Sequence, residues 1–432
     1  MSSVINNLKI FIGYGVLIFP LFLILGPLIA ELFVLITIIF LIYTNIREKK
    51  INFYNKYLIF FGLFYLSTLF STLINYYSFD YSKSGIFYFR IPLFAFGIWL
   101  ILRNFNLENK KILLFYNFSF LVIIIDSLVQ YYFGQNLIGY EIIKGRISSF
   151  FGDELILGSF LLKILPIFLV VLVLNGKINN KQNNYIYIIL ISFISLIIYI
   201  SGERTSFFLL IFFYIILFIF LKSLRKFIIL ICALYFGLII ASSSLLKPKT
   251  ITADRMVIKT YKQLIGESRY GKEYKKKFLN KIYIFTHDHQ GHYMLAFQII
   301  KDHFTFGTGV RGFRFLCRSK VYILENNDGC STHPHNTYIQ IFTSNGIIGF
   351  TLLMIAYFYV TREMFKTKKK IDFENSFNKL KISKQIILIG IFVSFWPIAP
   401  SGNFFNNWMS MIYFYQIGFY LYLKHKNEKE TY

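Results

Sequence analysis

The segment His333-Pro334-His335-Asn336-Thr337-Tyr338 places two imidazoles where a polar stretch runs into an apolar one. An imidazole, with an ordinary pKa of about 6.5, is suited to taking a proton from a hydroxyl. The same arrangement also serves as a plain helix start, with Asn336 as the N-cap. A second group, Ser201-Gly202-Glu203-Arg204-Thr205-Ser206, puts a charged pair into a very short link between two apolar runs. A guanidinium there suits bidentate contact with phosphate, while an ion pair with Glu203 or a lipid headgroup is the plainer role. Gly145-Arg146, followed by Phe150-Phe151-Gly152-Asp153, and Gly307-Thr308-Gly309-Val310-Arg311-Gly312 each set an Arg beside glycines. Such glycines permit close backbone approach to a ligand, although a Gly-rich turn with a solvated Arg is the default. His287-Asp288-His289 with His292 has the spacing of metal ligands. Neither Cys nor Glu completes an obvious ligand set, so the segment reads as a polar surface stretch and no metal is expected.

The elements that must position these residues are membrane helices. The 432-residue chain is 56% hydrophobic and 20% aromatic, and its mean hydropathy is +0.55. That is too much apolar surface for a soluble domain. Apolar runs fall at 8–25, 28–46, 57–74, 86–102, 112–132 and 155–174, then at 185–200, 206–221, 227–245, 338–360, 386–400 and 408–423. Most have the length of a hydrocarbon-spanning helix, which predicts an all-α polytopic membrane protein with about twelve transmembrane helices. The whole chain, 1–432, reads as one integral membrane domain. The first run has only Lys9 before it and no small-residue cleavage site, so it reads as a retained helix rather than a signal. A formal charge of +25 belongs to loops beside anionic membrane lipids and not to nucleic acid.

Orientation follows from the basic loops. Those with Arg47, Lys49, Lys50 and Lys56, with Arg103, Lys110 and Lys111, with Lys177 and Lys181, and with Lys222, Arg225 and Lys226 share one side. The stretch 362–384 and the tail from Lys424 join them, which predicts both termini in the cytoplasm. The opposite side takes the turn at Gly26 and Pro27, the connections 134–154, 201–205 and 401–407, and one long loop, 246–335, between helices 9 and 10. That loop is itself basic, but loops longer than about 60 residues cross the membrane largely regardless of charge. Its Cys317 and Cys330 form a disulfide in an oxidising compartment or remain two thiols; spacing alone leaves both open. Arg90, Asp126 and Lys163 are the ionisable residues deepest in apolar runs, without the pattern of a charge relay. No internal repeat suggests transporter halves.

Taken together, these residues resemble the O-antigen ligase and O-antigen polymerase superfamily of bacterial envelope glycosyltransferases. The carrying motif is His335-Asn336 followed by Gly346-Ile347-Ile348-Gly349 and preceded by one long external loop. Gly202-Glu203-Arg204-Thr205-Ser206, Phe306-Gly307-Thr308-Gly309 before Arg311, and Gly145-Arg146 leading to Phe151-Gly152-Asp153 add to it. The resemblance implies a GT-C-like fold in a bacterial inner membrane with its active face periplasmic. It implies transfer of a glycan from an undecaprenyl-diphosphate carrier to a sugar hydroxyl, with no metal or other cofactor. His335 then takes the catalytic position as general base or hydrogen-bond partner of the acceptor. Arg204 and Arg311 stabilise the leaving diphosphate, and Arg146, Asn336, Glu203 and His333 line the substrate site. A ligase uses lipid A core as acceptor and a polymerase uses another carrier-linked glycan; the large loop ending on the His-Asn motif favours the ligase. The competing class is a multi-helix transporter or lipid flippase, with a structural scaffold behind it.

Overall fold

A computed structural model describes residues 2–48, 55–103, 105, 107–178, 185–244, 254–264, 285–322, 329–366 and 376–429. Lys49, Lys50 and Lys181 of the basic loops lie outside these residues, as does most of the loop between 245 and 284. The chain is helical, and no strand occurs among the described residues. Chain order runs α1 (Ser2–Leu25), α2 (Pro27–Glu48), α3 (Lys56–Ile74), α4 (Phe79–Ile86), α5 (Arg90–Leu102), α6 (Lys110–Phe133), α7 (Leu157–Leu174) and α8 (Tyr185–Ile200). It continues through α9 (Arg204–Phe220), α10 (Arg225–Ser244), α11 (Lys259–Leu264), α12 (His287–Asp302), α13 (Gly312–Leu316), α14 (Thr337–Lys366), α15 (Ser376–Ser394) and α16 (Asn407–Lys429).

Eight helices among the described residues are long and apolar enough to cross a membrane, and α8 and α9 are shorter apolar helices. Each of the twelve expected spans overlaps one helix. The span placed at 386–400 is shifted: α15 begins earlier and ends at Ser394, ahead of Pro397 and Pro400, whose rings cannot continue a helix. The span placed at 86–102 is extended backwards by α4, joined to α5 through the 3-10 turn Phe87–Phe89.

Helix α7 is apolar all round, and every residue but Ser159 is buried, so it forms the central post. Around it, α15 and α16 pack on α7, α5 packs on α16, and α1 and α2 close over α5. Outward faces are apolar as well: Leu114, Phe118, Leu121 and Ile125 make an exposed stripe along α6 at helical spacing. Water would penalise such a stripe, whereas hydrocarbon solvates it.

The loop expected at 246–335 is partly built. It carries α11, α12 and α13, and Cys317 is bonded to Cys330. The bridge ties the end of α13 to the strand of chain that leads into His333. One end of the bundle gathers the Gly26 turn, the connections 134–154, 201–205 and 401–407, and the folded loop around a single cleft. These are the connections that charge counting put on one side.

Candidate functional site

The site begins at the N-terminus of α14. Asn336 Oδ1 accepts from the backbone amides of Tyr338 (3.0 Å) and Ile339 (3.1 Å), and its Nδ2 donates to the carbonyls of Pro397 (2.8 Å) and Ala399 (3.3 Å). Its amide is thereby fully used, so Asn336 caps α14 and ties it to the loop after α15; it does not line the cleft. His335, just outside the cap, adopts φ +57°, a left-handed conformation that costs a non-glycine residue about 1–3 kcal/mol. Its carbonyl accepts from Ser401 N at 2.8 Å.

Three other imidazoles surround His335. Ring centroids lie 4.0 Å away for His333, 5.2 Å for His292 and 5.6 Å for His289. His289 and His292 stand three residues apart on α12 and so share a face. His292 Nδ1 donates to Gly329 O at 3.0 Å, and Nδ1 of His289 and of His333 pair with the hydroxyls of Thr286 (2.9 Å) and Thr332 (2.8 Å). Burial pushes the pKa of His335 down to about 3, with further depression from His333, His292 and His289. Burial likewise pushes His333 and His289 down to about 4. These three rings are neutral at pH 7. Among the described residues no group of three or more His, Cys, Asp or Glu is arranged to hold a metal ion.

Glycines hold this corner together, and they do so differently from the expectation. The Phe306–Gly309 turn lies against the backbone of α14 where the helix breaks at Gly346, φ +65° and ψ −163°. Thr308 N and Gly309 N donate to the carbonyls of Thr343 and Ser344 (2.9 Å each), and Ile347 N donates to Phe304 O (2.9 Å). A Cβ on Gly346 would lie 2.2 Å from Thr305 O, and one on Gly307 would lie 2.4 Å from the carbonyl carbon of Ser344. The close approach is therefore between two segments of backbone, and no ligand is needed to explain these glycines.

Arg146 is presented by a loop anchored on α6. Asp126 accepts from Leu137 N (3.0 Å), Asn136 Nδ2 (3.2 Å) and Ser149 Oγ (2.6 Å). One turn on, Gln130 Oε1 accepts from Ser148 N (2.9 Å) and Ser149 N (2.7 Å). Asp126 is thus a loop anchor, and its burial needs no relay. Arg146 Nη2 donates to Leu155 O at 2.5 Å and stands 3.5 Å from Glu203 Oε1. Glu203 is occupied by the start of α7: it accepts from Gly158 N (2.7 Å), Ser159 N (3.1 Å) and Ser159 Oγ (2.6 Å), and from Ser206 Oγ (2.9 Å). A carboxylate with that many donors at a positive helix end holds the start of α7 and aims Arg146. Arg204 opens α9 beside it, and Arg255 joins the group by donating from Nε to Gly202 O at 2.9 Å.

The cleft that receives these groups has a volume of about 1530 Å³, larger than an ordinary small-molecule pocket. His333, His335, Arg146, Glu203, Arg204 and Arg311 all line it. Within it, Arg311 Nη1 donates to Asp80 O at 2.9 Å. The sequence reading set His289 aside as part of a polar surface stretch, yet its ring lines the cleft, as do Arg255 and Arg314, which were counted only as loop charge. Arg90, counted as an intramembrane charge, reaches the cleft rim, paired with Glu31 and donating to Asn407 Oδ1 at 2.9 Å. The spacing of His289 and His292 was the one available signal, since it puts both on one helical face.

The O-antigen ligase family model matches residues 188–354, from α8 into α14. The match takes in Glu203, Arg204, Arg311, His333, His335 and Asn336, and it bears out the resemblance drawn from those motifs. No curated protein matches the chain.

Proposed function

We propose that the chain transfers an O-antigen-type glycan from an undecaprenyl-diphosphate carrier to a sugar hydroxyl of lipid A core. The observation that carries this reading is His335, a neutral imidazole held in a strained backbone within a cleft that also presents Arg204 and Arg146. The family match supports the reaction class, and the cleft volume suits a lipid-linked glycan better than a small metabolite.

In this reaction the acceptor oxygen bonds to the anomeric carbon as the bond from that carbon to the phosphate oxygen breaks. The bonding pair leaves with the diphosphate, and the hydroxyl proton passes to His335. Arg204 and Arg146 meet the charge that grows on the diphosphate, the place where fixed cations lower a barrier most. A base with a pKa of about 3 is weak in the empty cleft. The negative charge of a bound donor raises it, so donor binding primes the base. Arg311 lines the same cleft and is the third guanidinium available to the leaving diphosphate in this reading. Glu203 and Asn336 act through the elements they fix.

The basic loops, the disulfide and the loop clustering support a periplasmic cleft in a bacterial inner membrane, with both termini cytoplasmic. The test is transfer by the purified chain from undecaprenyl-diphosphate glycan to lipid A core with EDTA present, comparing wild type with His335→Ala. Product from wild type alone supports a metal-independent ligase. Lengthened carrier-linked glycan makes the chain a polymerase instead. Bound donor without either product returns the transporter or flippase class.

A further inference from the structure

A second hollow, of about 430 Å³, lies between α3, α14, α15 and α16. Its lining is apolar over most of its length: Phe64, Leu353, Ile391, Phe404 and Phe414 are buried and make the floor, while Ile355 on α14 is exposed at the lip. The residues that flank the lip, Leu63 on α3 and Phe358 on α14, are exposed and apolar as well. The hollow therefore opens sideways into hydrocarbon and not into water. It shares no lining residue with the cleft. Phe404 lines the hollow and Phe405 the cleft, and their rings, 5.2 Å apart, stand between the two.

Its far end is polar and cationic. The hydroxyls of Tyr57, Tyr359 and Tyr420 join in a chain, Tyr57 to Tyr359 and Tyr359 to Tyr420, at 2.9 Å each. Lys424 Nζ donates to Tyr57 (2.5 Å) and Tyr359 (2.6 Å). Lys56 lines the same end, is exposed, and forms no ion pair with a carboxylate among the described residues. Glu363, the nearby carboxylate on α14, is taken by Lys366 at 2.5 Å. Phenols gathered with lysines mark a membrane–water interface. It is the interface away from the cleft: Asn407 at the cleft and Lys424 stand at opposite ends of α16, about 25 Å apart by helical rise. Along α3 the lining runs from Lys56 to Phe64, about 12 Å by the same rise and close to the roughly 15 Å of hydrocarbon in one leaflet. The hollow is thus one leaflet deep, apolar along its length and positive where it meets water. A lipid whose anionic group sits at the cleft would bring its charge to the wrong face.

We propose that this hollow binds an anionic glycerophospholipid of the leaflet on the basic-loop side, with one acyl chain between α3 and α14 and the headgroup phosphate on Lys56 beside Lys424. The proposal is independent of the transfer reading, and the orientation argued above decides only which leaflet is named. Left unfilled, a hollow of this size would forfeit the dispersion contacts of its lining. The chain that fills it braces the pair of helices on which His335 is mounted. Further along, α3 holds α14 at its break, where Ser71 Oγ donates to Ser344 O and Asn345 Nδ2 donates to Thr68 Oγ1, both at 2.6 Å.

The experiment uses the full chain, delipidated in detergent and titrated with phosphatidylglycerol or phosphatidylcholine of the same acyl chains. Bound lipid is counted by native mass spectrometry for wild type, Lys56→Gln and Ala356→Phe. Wild type is expected to hold one phosphatidylglycerol about fivefold or more tighter than phosphatidylcholine, the scale of one lysine's attraction to an anionic headgroup. Lys56→Gln should reduce that preference and leave phosphatidylcholine unchanged. Ala356 lines the hollow, so the ring of Ala356→Phe should weaken both lipids alike. Equal affinity of wild type for the two lipids overturns the proposal. So does a preference unaltered by Lys56→Gln, or a tight lipid that Ala356→Phe leaves in place. Displacement of phosphatidylglycerol by undecaprenyl phosphate would give the hollow to a polyprenyl tail, and a wild-type dimer that Ala356→Phe dissociates would make it an interface between copies; either result overturns the proposal too. If Ala356→Phe does not fold, the exposed substitution Lys56→Gln carries the test alone.

Discussion

The rings of His333 and His335 lie 4.0 Å apart, and Nε2 of His333 is buried without a hydrogen-bond partner. Pro334 sits between them, and φ of His335 is +57°. This turn packs one imidazole against the other at a tilt of 41° at the mouth of α14, so their substitution should separate strain from chemistry. His335→Gly removes the base and also the left-handed strain. It is expected to leave thermal stability in detergent unchanged or slightly raised while transfer falls by about 10²-fold or more, the scale of a lost general base. A variant that loses activity only because its melting temperature collapses would show His335 to be a structural residue.

The depressed histidines set a pH dependence of known sign. His289, His333 and His335 titrate in the folded chain at about 4, 4 and 3, against about 6.5 when unfolded. The unfolded chain therefore binds protons first. Stability from these rings is complete above pH 6.5 and is lost progressively as pH falls from 6.5 towards 3. Thermal melting at pH 7.5, 6 and 5 should show a decline that His289→Asn reduces. A flat profile across that range would refute the buried neutral cluster.

The kinetic counterpart concerns His335 alone. With donor absent its imidazole is held low by burial and by its three ring neighbours. A bound diphosphate brings negative charge and raises it. The acid limb measured at saturating donor should therefore lie at higher pH than the limb for the free protein, and both should lie below the ordinary 6.5 unless the donor shift is large. Coincident limbs would mean that the diphosphate is not felt at His335.

Much of this was legible in the sequence because it is local. Apolar run length revealed a helix at each of the twelve runs, eight of the described helices being long and apolar enough to span a membrane, and basic residues in short loops sorted the connections that converge on the cleft. Arg204 and His335 were visible because a charge in a two-helix link and an imidazole before an apolar run are unusual in themselves. What stayed hidden depends on contacts between distant segments. Nothing near His289 says that α12 folds back so that its ring meets His335. Gly307 looks like a ligand glycine until its backbone is seen against that of Ser344 and Gly346. Glu203 looks like a partner for the neighbouring Arg204 until its carboxylate is found on the amides that open α7.

That use of Glu203 predicts a structural phenotype. Glu203→Gln keeps the shape but removes the anion from the start of α7 and weakens four accepted hydrogen bonds. The expected loss is about 1–3 kcal/mol of stability, read as a lowered melting temperature. Donor affinity should fall less than for Arg146→Gln, because the carboxylate aims Arg146 and does not touch substrate. A Glu203→Gln protein of unchanged stability and abolished turnover would place Glu203 in the transfer chemistry instead.

Gly346 offers the sharpest contrast between a ligand glycine and a packing glycine. Its Cβ would lie 2.2 Å from Thr305 O and 2.6 Å from Phe306 N, and both are backbone atoms that cannot swing aside. Its φ of +65° also strains any L side chain. Gly346→Ala should therefore push the Phe306–Gly309 turn off α14 and break the pairs from Thr308 N, Gly309 N and Ile347 N. The cost is about 3 kcal/mol or more, since hydrogen bonds and backbone conformation are lost together. Gly62 meets nothing within 4 Å, so Gly62→Ala in α3 should be nearly silent and controls for the alanine itself. The decisive measurement is hydrogen exchange across residues 304–309 with and without Gly346→Ala. If those amides stay protected while donor binding is lost, the glycine serves a ligand; if they open first, it serves the fold that carries His335.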